Sequence, residues 1–586
     1  MAIQKQPVDV VIVGMGWAGS IAAKELLDAG LSVVGLERGM MRTQSENFDT
    51  SRMYDELPYN IRNGLAQDLS RETVTFRNDI SQTALPMRQI GSFNPGTGTG
   101  GSGVTWSGHN FRTLPSDLRL RSHITERYGR NFIPAGMTIQ DWGVTYEELE
   151  PFYDRFEYVA GISGKAGNLR GRIQPGGNPF EGPRAREYPN LPLPRTHAGE
   201  LFARAVRSLG YTPYPVPVGN SSRTYKNPYG VELGECRVCG HCANFACTYS
   251  AKASAVTTVL PAILASKNFE LRANSYVTRV NLDKDRKRAV SVTYMDASGC
   301  EVEQPADLVL LAAYAYNNAR LMLLSGIGKP YDPKTGEGVI GRNYAYQTLT
   351  NVIGFFKDQN FNPYVAGGGM ATVIDDFNGD NFDHGPLGFI GGGFIGSFVT
   401  GGLPISYHPT PPGTPMWGRE WKRAVVESYQ RATGLNIHSA CQSYRGNYLD
   451  LDPTYKDAWG LPLLRMTFEF GENEHKMSDY ITDRAVEIAQ AMGASQVLEL
   501  RRKGRYDITK YQTTHNVGGT AMGTDPKTSA VNRYLQSWDV PNVFIMGSTV
   551  FPQNTGYNPT GTVGALTYWS VDAIKKRYLK NPGPLV

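Results

Sequence analysis

The sequence of 586 residues predicts an α/β protein with two intertwined or sequential domains. A strand, a glycine-rich turn, a helix and a second strand follow one another within the first forty residues. Residues 345–470 consist of short aromatic β-type runs separated by glycines, which is typical of an antiparallel sheet. The character of the first domain returns near the C-terminus, and a chain of this length exceeds one ordinary core. The first domain is therefore expected to be discontinuous.

Composition restricts the class of function. The chain is 40% hydrophobic and 19% charged, and its net charge of +5 is small for its length. Because no basic cluster occurs, nucleic acid is not expected as a partner. The longest stretch without Asp, Glu, Lys or Arg, residues 384–418, contains a glycine triplet and several prolines. These residues favour loop and sheet lining a cavity over a membrane helix.

The first forty residues carry a dinucleotide-binding pattern. The apolar run 10–13 leads into Gly14, Gly16 and Gly19, and the next apolar run ends on Glu37. Gly14 permits a tight turn, Gly16 lets the backbone approach a pyrophosphate, and Gly19 allows close packing of helix and strand. Glu37 can accept hydrogen bonds from the adenosine ribose, which disfavours NADP. The pattern alone leaves FAD and NAD open.

A second glycine-rich segment, residues 94–103, reads NPGTGTGGSG and is followed at once by Val104 and Thr105. Glycine beside serine and threonine lets the backbone pass close to a flat or anionic ligand. We therefore predict that this segment lines a ligand site and is not a flexible linker. Its candidate cofactor contacts are Gly100, Gly101, Ser102 and Thr105.

The remaining patterns predict the other elements in chain order. Residues 40–90 are polar and are predicted to be irregular. Apolar spacing predicts helices over residues 141–160, 198–209, 251–267, 316–324, 478–492 and 562–578. Alternating or continuous apolar runs predict strands over residues 270–271, 275–280, 290–295, 306–312 and 543–546.

Four of the six cysteines, Cys236, Cys239, Cys242 and Cys247, lie within twelve residues. Disulfides closing such short loops add little constraint, so the spacing favours a metal or iron-sulfur site. Soft thiolates in one loop suit either an iron-sulfur cluster or zinc. Two CxxC pairs separated by a long loop, which zinc modules prefer, are absent from the sequence. Spacing alone leaves both chemistries open.

Several segments together resemble the glucose-methanol-choline (GMC) family of flavoprotein oxidoreductases. In family order they are GMGWAG with Glu37, GGSGVTWSGHN from Gly100, LVLLAAYAYNNARLMLLSGIG from Leu308, KDAWGLPLLRMTF from Lys456, THNVGGTAMGTDP from Thr514 and NVFIMGSTVFPQNTGYNPTGTVGALT from Asn542. The resemblance implies a Rossmann-like FAD-binding domain interwoven with an antiparallel-sheet substrate domain. It implies residues 1–115, 225–345 and 505–586 for FAD, including the cysteine loop 234–250, and residues 116–224 and 346–504 for the substrate.

The resemblance also assigns catalytic groups. His515 matches the family's general base, and Asn558 matches the second residue facing the flavin, where an amide can orient the substrate hydroxyl. The implied reaction removes the hydroxyl proton while hydride passes to flavin N5. Further implied FAD contacts are Val277, Gly547, Asn558 and Thr560.

The chain departs from the family pattern at two places. Gly547-Ser548 stands where many relatives have an aspartate that touches FAD, so that contact must be made differently. His109 lies too far beyond Gly101 to match the histidine through which some relatives attach FAD. Non-covalent FAD is therefore expected.

With the cysteine loop included, the resemblance narrows to the bacterial membrane-associated dehydrogenases of sugars and sugar acids. It implies a [3Fe-4S] cluster on Cys236, Cys242 and Cys247, with Cys239 as a further ligand if the cluster has four irons. It also implies low reactivity toward oxygen and electron transfer to a multi-heme cytochrome c subunit in the membrane. Residues 1–8 are polar and too short for a secretory signal. The resemblance implies that a small partner subunit with a twin-arginine signal carries the protein to the periplasm, which agrees with the absence of a signal pattern in residues 1–8.

The expected reaction is oxidation of a secondary alcohol of a sugar acid, with gluconate to 2-ketogluconate as the first choice. A dehydrogenase of another sugar or polyol, such as fructose, sorbitol, glucose or 2-ketogluconate, is an alternative. An oxygen-using alcohol oxidase with structural zinc is another. A non-redox flavoprotein or an assembly subunit with structural FAD is a third. Arg112 and Arg342 are candidates to bind a substrate carboxylate.

Overall fold

The computed structural model describes residues 2–48, 62–91, 93, 95–365, 368–398, 403, 405, 407–510 and 513–585. Parts of three predicted segments lie outside this range, namely residues 49–61 of the irregular segment, Asn94 of the second glycine-rich segment, and residues 399–402, 404 and 406 of the uncharged stretch. The α-helices of the described chain are Trp17–Asp28, Gln44–Asn47, Leu120–Tyr128, Tyr146–Ala160, His197–Ser208, Ala255–Thr258, Leu260–Ile263, Ala315–Ser325, Gly418–Ser428, Glu472–Ala491 and Thr560–Ala573.

The first large sheet, here called the nucleotide sheet, contains the N-terminal glycine turn. Its strands, in spatial order, are Phe269–Arg272, Val33–Leu36, Val8–Val13, Glu301–Leu311, Ala289–Met295 and Tyr276–Leu282, with Ile3–Gln4 and Val543–Ile545 also paired to Glu301–Leu311. The first four strands in this order pair in parallel, and Val543–Ile545 also pairs in parallel with Glu301–Leu311. Ala289–Met295 pairs antiparallel with both Glu301–Leu311 and Tyr276–Leu282.

The strand Val8–Val13 shows why this sequence forms a central strand. Val10 and Ile12 pack in one hydrophobic core, together with the helix Trp17–Asp28. Val11 and Val13 pack in a second core on the opposite face. A strand that is covered by protein on both faces needs a continuous apolar run, and residues 10–13 provide it.

The second large sheet, here called the cap sheet, is antiparallel throughout. Its strands, in spatial order, are Gln496–Leu500, Thr348–Phe355, Ala432–Ser439, Gly393–Phe398, Thr372–Ile374 and Tyr214–Pro215. One face packs on the helix Glu472–Ala491, where Ile481 and Ile488 meet Leu435 and Ile437 in a common core. Because side chains alternate along a strand, Asn436 and His438 project from the other face.

A four-stranded sheet connects the two predicted domains. Its strands are Tyr448–Lys456, Pro462–Thr467, Val74–Arg77 and Leu85–Pro86. The parallel pairing of Val74–Arg77 with Pro462–Thr467 places a strand of the predicted FAD-binding domain beside a strand of the predicted substrate domain. Two short hairpins, Asn168–Leu169 with Arg172–Ile173 and Tyr225–Lys226 with Glu232–Leu233, complete the described strands. The predicted α/β fold is confirmed, while the domain boundaries stay a prediction.

The structure corrects three predicted elements. Residues 40–90 are not wholly irregular, since they contain the strands Val74–Arg77 and Leu85–Pro86. The helix predicted over 251–267 is divided into Ala255–Thr258 and Leu260–Ile263, because Pro261, in the first turn of the second helix, has no backbone N–H to continue the hydrogen bonding of the first. The C-terminal helix ends at Ala573 and continues as a π-turn, Ile574–Tyr578.

No helix in the described part of the chain is both long enough and apolar enough to cross a lipid bilayer.

Candidate active site

A single cavity of about 430 Å³ lies between the nucleotide sheet and the cap sheet. Gly14, Gly16 and Glu37 line one part of it, and His515 and Asn558 line another. The carboxyl ends of parallel strands, where the glycine turn lies, are the usual ligand site of such sheets. The cavity therefore joins the dinucleotide pattern to the two catalytic candidates, which are about five hundred residues further along the chain.

The glycine turn is shaped by close contacts that only glycine allows. Gly14 has a φ of +95°, and a Cβ there would lie 2.5 Å from the Ala312 oxygen. A Cβ at Gly19 would lie 1.9 Å from the Gly14 oxygen, so Gly19 serves helix packing behind the turn. At Gly16 the nearest atom, the Gly100 oxygen, would be 3.9 Å away, which leaves space on the cavity side. This cradle fits a pyrophosphate at the N-terminus of a helix.

Glu37 lies at the end of the second strand and is buried, with 6% of its surface exposed. Its carboxylate accepts hydrogen bonds from the backbone N–H groups of Met15 at 3.1 Å, Gly39 at 3.0 Å and Gly98 at 3.2 Å. It therefore connects the first glycine turn to the second glycine-rich segment. Its place in the cavity wall is compatible with the predicted ribose contact.

The other predicted FAD contacts also line this cavity: Gly100, Gly101, Ser102, Thr105, Val277, Gly547 and Thr560. Gly100 has a φ of +86°, and the short turn Gly101–Val104 follows it directly. Gly547 has a φ of +105°, and Ser548 donates from its hydroxyl to the Asn516 oxygen at 2.7 Å. The residues that replace the usual aspartate thus shape the cavity wall. His109, for which covalent attachment was not expected, lines the cavity as well.

His515 and Asn558 form a direct pair. The Asn558 amide nitrogen lies 3.2 Å from His515 Nε2, although 43 residues separate them. Asn558 lies just before the helix Thr560–Ala573, whose N-terminal end favours nearby negative charge. Among the described residues, the buried Oδ1 atom of Asn558 has no hydrogen-bond partner. A hydroxyl or N–H group in the cavity could satisfy this acceptor.

Gln347, which no sequence pattern indicates, contacts His515 Nδ1 through its amide oxygen. The Gln347 amide nitrogen donates to the Gly556 oxygen at 2.6 Å. Because a backbone carbonyl can only accept, the amide oxygen must face the imidazole. His515 therefore carries its proton on Nδ1, and its Nε2 atom, which accepts from the Asn558 amide, keeps the lone pair that a general base requires.

Burial in the cavity, with a smaller contribution from His109, lowers the pKa of His515 to about 3. Both effects disfavour the imidazolium form. The imidazole is therefore neutral at neutral and mildly acidic pH, and its base form is lost only as the pH falls through this low value.

His438 is a second cavity residue that the sequence reasoning missed. Its Nδ1 atom lies 3.1 Å from the same Gln347 oxygen, and its ring centroid is 5.8 Å from that of His515. The available signal was the pattern Leu435, Asn436, Ile437, His438, in which polar residues alternate with apolar ones along a strand.

The cysteine loop adjoins the cavity. Ala243 and Asn244 line it, and the Asn244 N–H donates to the Thr105 oxygen at 2.9 Å. Cys242 is buried, whereas Cys236, Cys239 and Cys247 are half-buried. Within the described residues, no three His, Cys, Asp or Glu side chains form a group that could hold a metal ion. The thiols thus supply suitable donor chemistry, but their present arrangement is not that of a metal site.

The two arginine candidates lie elsewhere. Arg112 is buried in ion pairs with Glu157 at 2.8 Å and Glu150 at 3.0 Å. Arg342 lies near Tyr331, with its guanidinium carbon 6.0 Å from the ring centroid. Neither arginine is among the described residues that line the cavity. Both are therefore poorly placed to bind a substrate carboxylate.

Two models of the GMC oxidoreductase family match the chain, over residues 200–348 and 443–567. The chain is 53% identical to the gluconate 2-dehydrogenase flavoprotein of Pantoea cypripedii, over 100% of this chain and 96% of that protein. It is 26% identical to the fructose dehydrogenase large subunit of Gluconobacter japonicus, over 97% of both proteins.

Among solved structures, pyridoxine 4-oxidase from Mesorbium loti has a similar fold, with a TM-score of 0.59 and 16% sequence identity. The matched region covers 96% of this chain and 98% of that one. The formate oxidase of Aspergillus oryzae RIB40 is also similar, with a TM-score of 0.56 and 13% identity over 99% of this chain and 100% of that one. At these identities the likeness shows the fold alone.

Proposed function

The chain belongs to the GMC oxidoreductase family, and we propose that it oxidises gluconate at the C2 hydroxyl to give 2-ketogluconate. Family membership confirms the resemblance seen in the sequence and makes the chain a FAD-dependent dehydrogenase acting on CH–OH donors. The full-length similarity to the Pantoea flavoprotein supports gluconate as the substrate. The structural observation that carries the proposal is the His515–Asn558 pair, which shares one cavity with the dinucleotide turn.

FAD, when bound in this cavity, supplies the hydride acceptor that oxidation of a secondary alcohol requires. The glycine turn and Glu37 would hold its pyrophosphate and ribose, and the predicted attachment is non-covalent. His515 Nε2 accepts the proton of the substrate hydroxyl, because Gln347 keeps the other ring proton on Nδ1. Asn558 donates from its amide nitrogen toward the substrate oxygen and stabilises the charge that develops there.

The substrate assignment is tested by mixing the FAD-loaded protein anaerobically with one donor at a time and recording the loss of flavin absorbance. We expect gluconate to reduce the flavin with a higher second-order rate constant than fructose, glucose, sorbitol or 2-ketogluconate. Appearance of 2-ketogluconate confirms the position of oxidation. A faster reaction with another of these donors would show that gluconate is not the preferred substrate.

Replacing Gln347 by leucine tests how the base is prepared. We expect kcat to fall by about tenfold to a hundredfold, because residues that orient a reacting imidazole typically contribute this much. FAD content should not change, since Gln347 does not line the cavity among the described residues. Steady-state kinetics and the ratio of flavin to protein absorbance measure both effects.

Gln359→Leu is the matched control for this variant. Gln359 contacts the Nε2 atom of the exposed His197 at 2.7 Å, so the same kind of pair is removed far from the cavity. It should retain normal kcat. If Gln347→Leu also retains normal kcat, the tautomer of His515 does not depend on Gln347.

We further propose that the cysteine loop holds an iron-sulfur cluster that carries electrons away from the flavin. Four soft thiols within twelve residues support this proposal, as does the contact of Asn244 with the cavity wall. The predicted assignment is [3Fe-4S] on Cys236, Cys242 and Cys247. Because the described side chains do not form a group that could hold a metal ion, the proposal requires that the thiols come together when the cluster binds.

Cysteine variants test the ligand set. We expect Cys242→Ser to lose the iron and the electron paramagnetic resonance signal of the oxidised cluster. Cys239→Ser should retain both, and so should Cys300→Ser, a control at an exposed cysteine outside the loop. Loss of the signal in Cys239→Ser would make that thiol a ligand. Stoichiometric zinc without iron in the wild type would instead favour the oxidase alternative.

Partner subunits complete the proposal. The fructose dehydrogenase relative is itself named a large subunit, which supports a multi-subunit enzyme. We propose a small subunit with a twin-arginine signal and a multi-heme cytochrome c subunit that attaches the protein to the periplasmic side of the cytoplasmic membrane. Cell fractionation after co-expression with and without the small subunit tests this location. Periplasmic recovery of the chain expressed alone would contradict it.

A further inference from the structure

We propose that His438 is a second substrate-binding residue, whose Nε2 atom accepts a hydrogen bond from the hydroxyl next to the one that is oxidised. The cavity would thereby select donors with vicinal hydroxyl groups. This inference deepens the proposed function and rests on it. The juxtaposition that carries it is two imidazoles in one cavity wall, bound to the same amide oxygen and 5.8 Å apart between ring centroids.

Gln347 determines the tautomer of His438 as it does that of His515. Its amide nitrogen is directed to the Gly556 oxygen at 2.6 Å, so its oxygen faces both rings and can only accept. A hydrogen bond over the 3.1 Å to His438 Nδ1 therefore requires the ring proton to be on Nδ1. The Nε2 atom of His438 is then left with a lone pair, and it can accept but not donate.

The ring plane of His438 is held by its neighbours in the cap sheet. Phe394 is its cross-strand partner in register, and the two rings stack at 5.0 Å with an angle of 8°. Leu349 is its partner on the other side and also lines the cavity. Directly paired residues project from the same face of a sheet. The acceptor is therefore presented by a rigid row of side chains that faces the cavity.

The charge state of His438 suits a hydroxyl and not a carboxylate. Burial keeps the pKa of His438 well below the usual value, and the nearby imidazoles of His515 and His109 act in the same direction. A neutral ring without a proton on Nε2 has nothing to donate to a carboxylate oxygen, whereas it accepts readily from an O–H group. Asn436, two residues earlier on the same strand, adds another polar group to this wall.

Two roles for His438 make different predictions. If His438 only supports Gln347, its loss lowers kcat/KM by the same factor for every substrate. If His438 binds the neighbouring hydroxyl, its loss lowers kcat/KM only for substrates that carry that hydroxyl. Comparing each donor with its deoxy analogue separates the two, because the variant and the missing hydroxyl form a double-mutant cycle.

The experiment measures kcat/KM for two donor pairs with the FAD-loaded protein, using wild type, His438→Phe and His438→Gln. One pair is gluconate and 3-deoxygluconate, and the other is butane-2,3-diol and butan-2-ol. In the wild type we expect the member that carries the hydroxyl next to the oxidised carbon to have a kcat/KM about tenfold higher, which corresponds to one neutral hydrogen bond. His438→Phe should reduce this ratio to about one by lowering kcat/KM only for that member, whereas His438→Gln should restore part of the ratio because its amide oxygen can accept.

Ile437→Val is the matched control, because Ile437 lies on the same strand but packs in the core on the opposite face. It should leave both ratios unchanged. Equal loss for both members of each pair in His438→Phe would overturn the proposal, as would an unchanged ratio. A collapse of the ratio for the butane pair together with no reaction of gluconate would support His438 and refute gluconate as the substrate.

Discussion

Replacing His515 by alanine is expected to lower the rate of flavin reduction by gluconate about a thousandfold while FAD stays bound. General-base assistance of this kind typically contributes about a hundredfold to ten-thousandfold. His515 is the residue whose unprotonated Nε2 atom lies 3.2 Å from the amide nitrogen of Asn558 in the cavity. Anaerobic stopped-flow measurement of flavin bleaching isolates this step from later electron transfer.

His197→Ala provides the control for this result, because His197 is an exposed histidine outside the cavity. It should reduce its flavin at the wild-type rate. FAD content is measured in both variants, so a slow reaction is not confused with an empty site. A near wild-type rate in His515→Ala would show that another group removes the hydroxyl proton.

The low pKa of His515 also predicts the pH dependence of the wild type. A free histidine loses its base form as the pH falls through about 6.5, but enclosure in the cavity moves this transition to about 3. We therefore expect kcat/KM to lack an acid limb near the ordinary histidine value. A limb at that value that disappears in His515→Ala would contradict the assigned charge state.

Replacing Gly16 by valine is expected to abolish tight FAD binding without unfolding the protein. A Cβ at Gly16 meets nothing of the protein nearer than 3.9 Å, so the fold tolerates it, but the side chain takes the space next to the turn. A phosphate kept away from the helix N-terminus loses charge-assisted hydrogen bonds of about 1.5–3 kcal/mol each. The FAD dissociation constant should rise by about tenfold to a hundredfold for each bond lost.

Gly19→Ala is the contrasting variant. Its Cβ would lie 1.9 Å from the Gly14 oxygen, so the helix must move and the apoprotein itself should be destabilised. Thermal unfolding of the two apoproteins and FAD titration measure the difference. If Gly16→Val binds FAD as tightly as the wild type, the pyrophosphate does not pass the N-terminal turn. If the Gly16→Val apoprotein unfolds at as low a temperature as the Gly19→Ala apoprotein, the role of Gly16 is structural.

Local patterns were sufficient to predict most of the fold. The run 10–13 is apolar at every position because the strand is covered on both faces, and this determines the central parallel strand. Local patterns were insufficient in two places. Pro261 interrupts a helix that apolar spacing predicts to be continuous. The strand Val74–Arg77 was missed because its partner strand lies almost four hundred residues away in the sequence.

The sequence by itself determined the dinucleotide turn, because it depends on residue types at a particular spacing, and the resemblance to the GMC family supplied His515 and Asn558 as candidate catalytic residues. Only the tertiary structure decided how the base is prepared. Gln347 directly precedes the strand Thr348–Phe355, His438 lies on the neighbouring strand of the cap sheet, and Gly556 orients the amide that both histidines contact. No local pattern encodes such a contact, since it arises when a sheet brings together positions that are far apart in the chain. For the same reason, Arg112 was a reasonable carboxylate candidate until the fold placed it in a buried ion pair with Glu157.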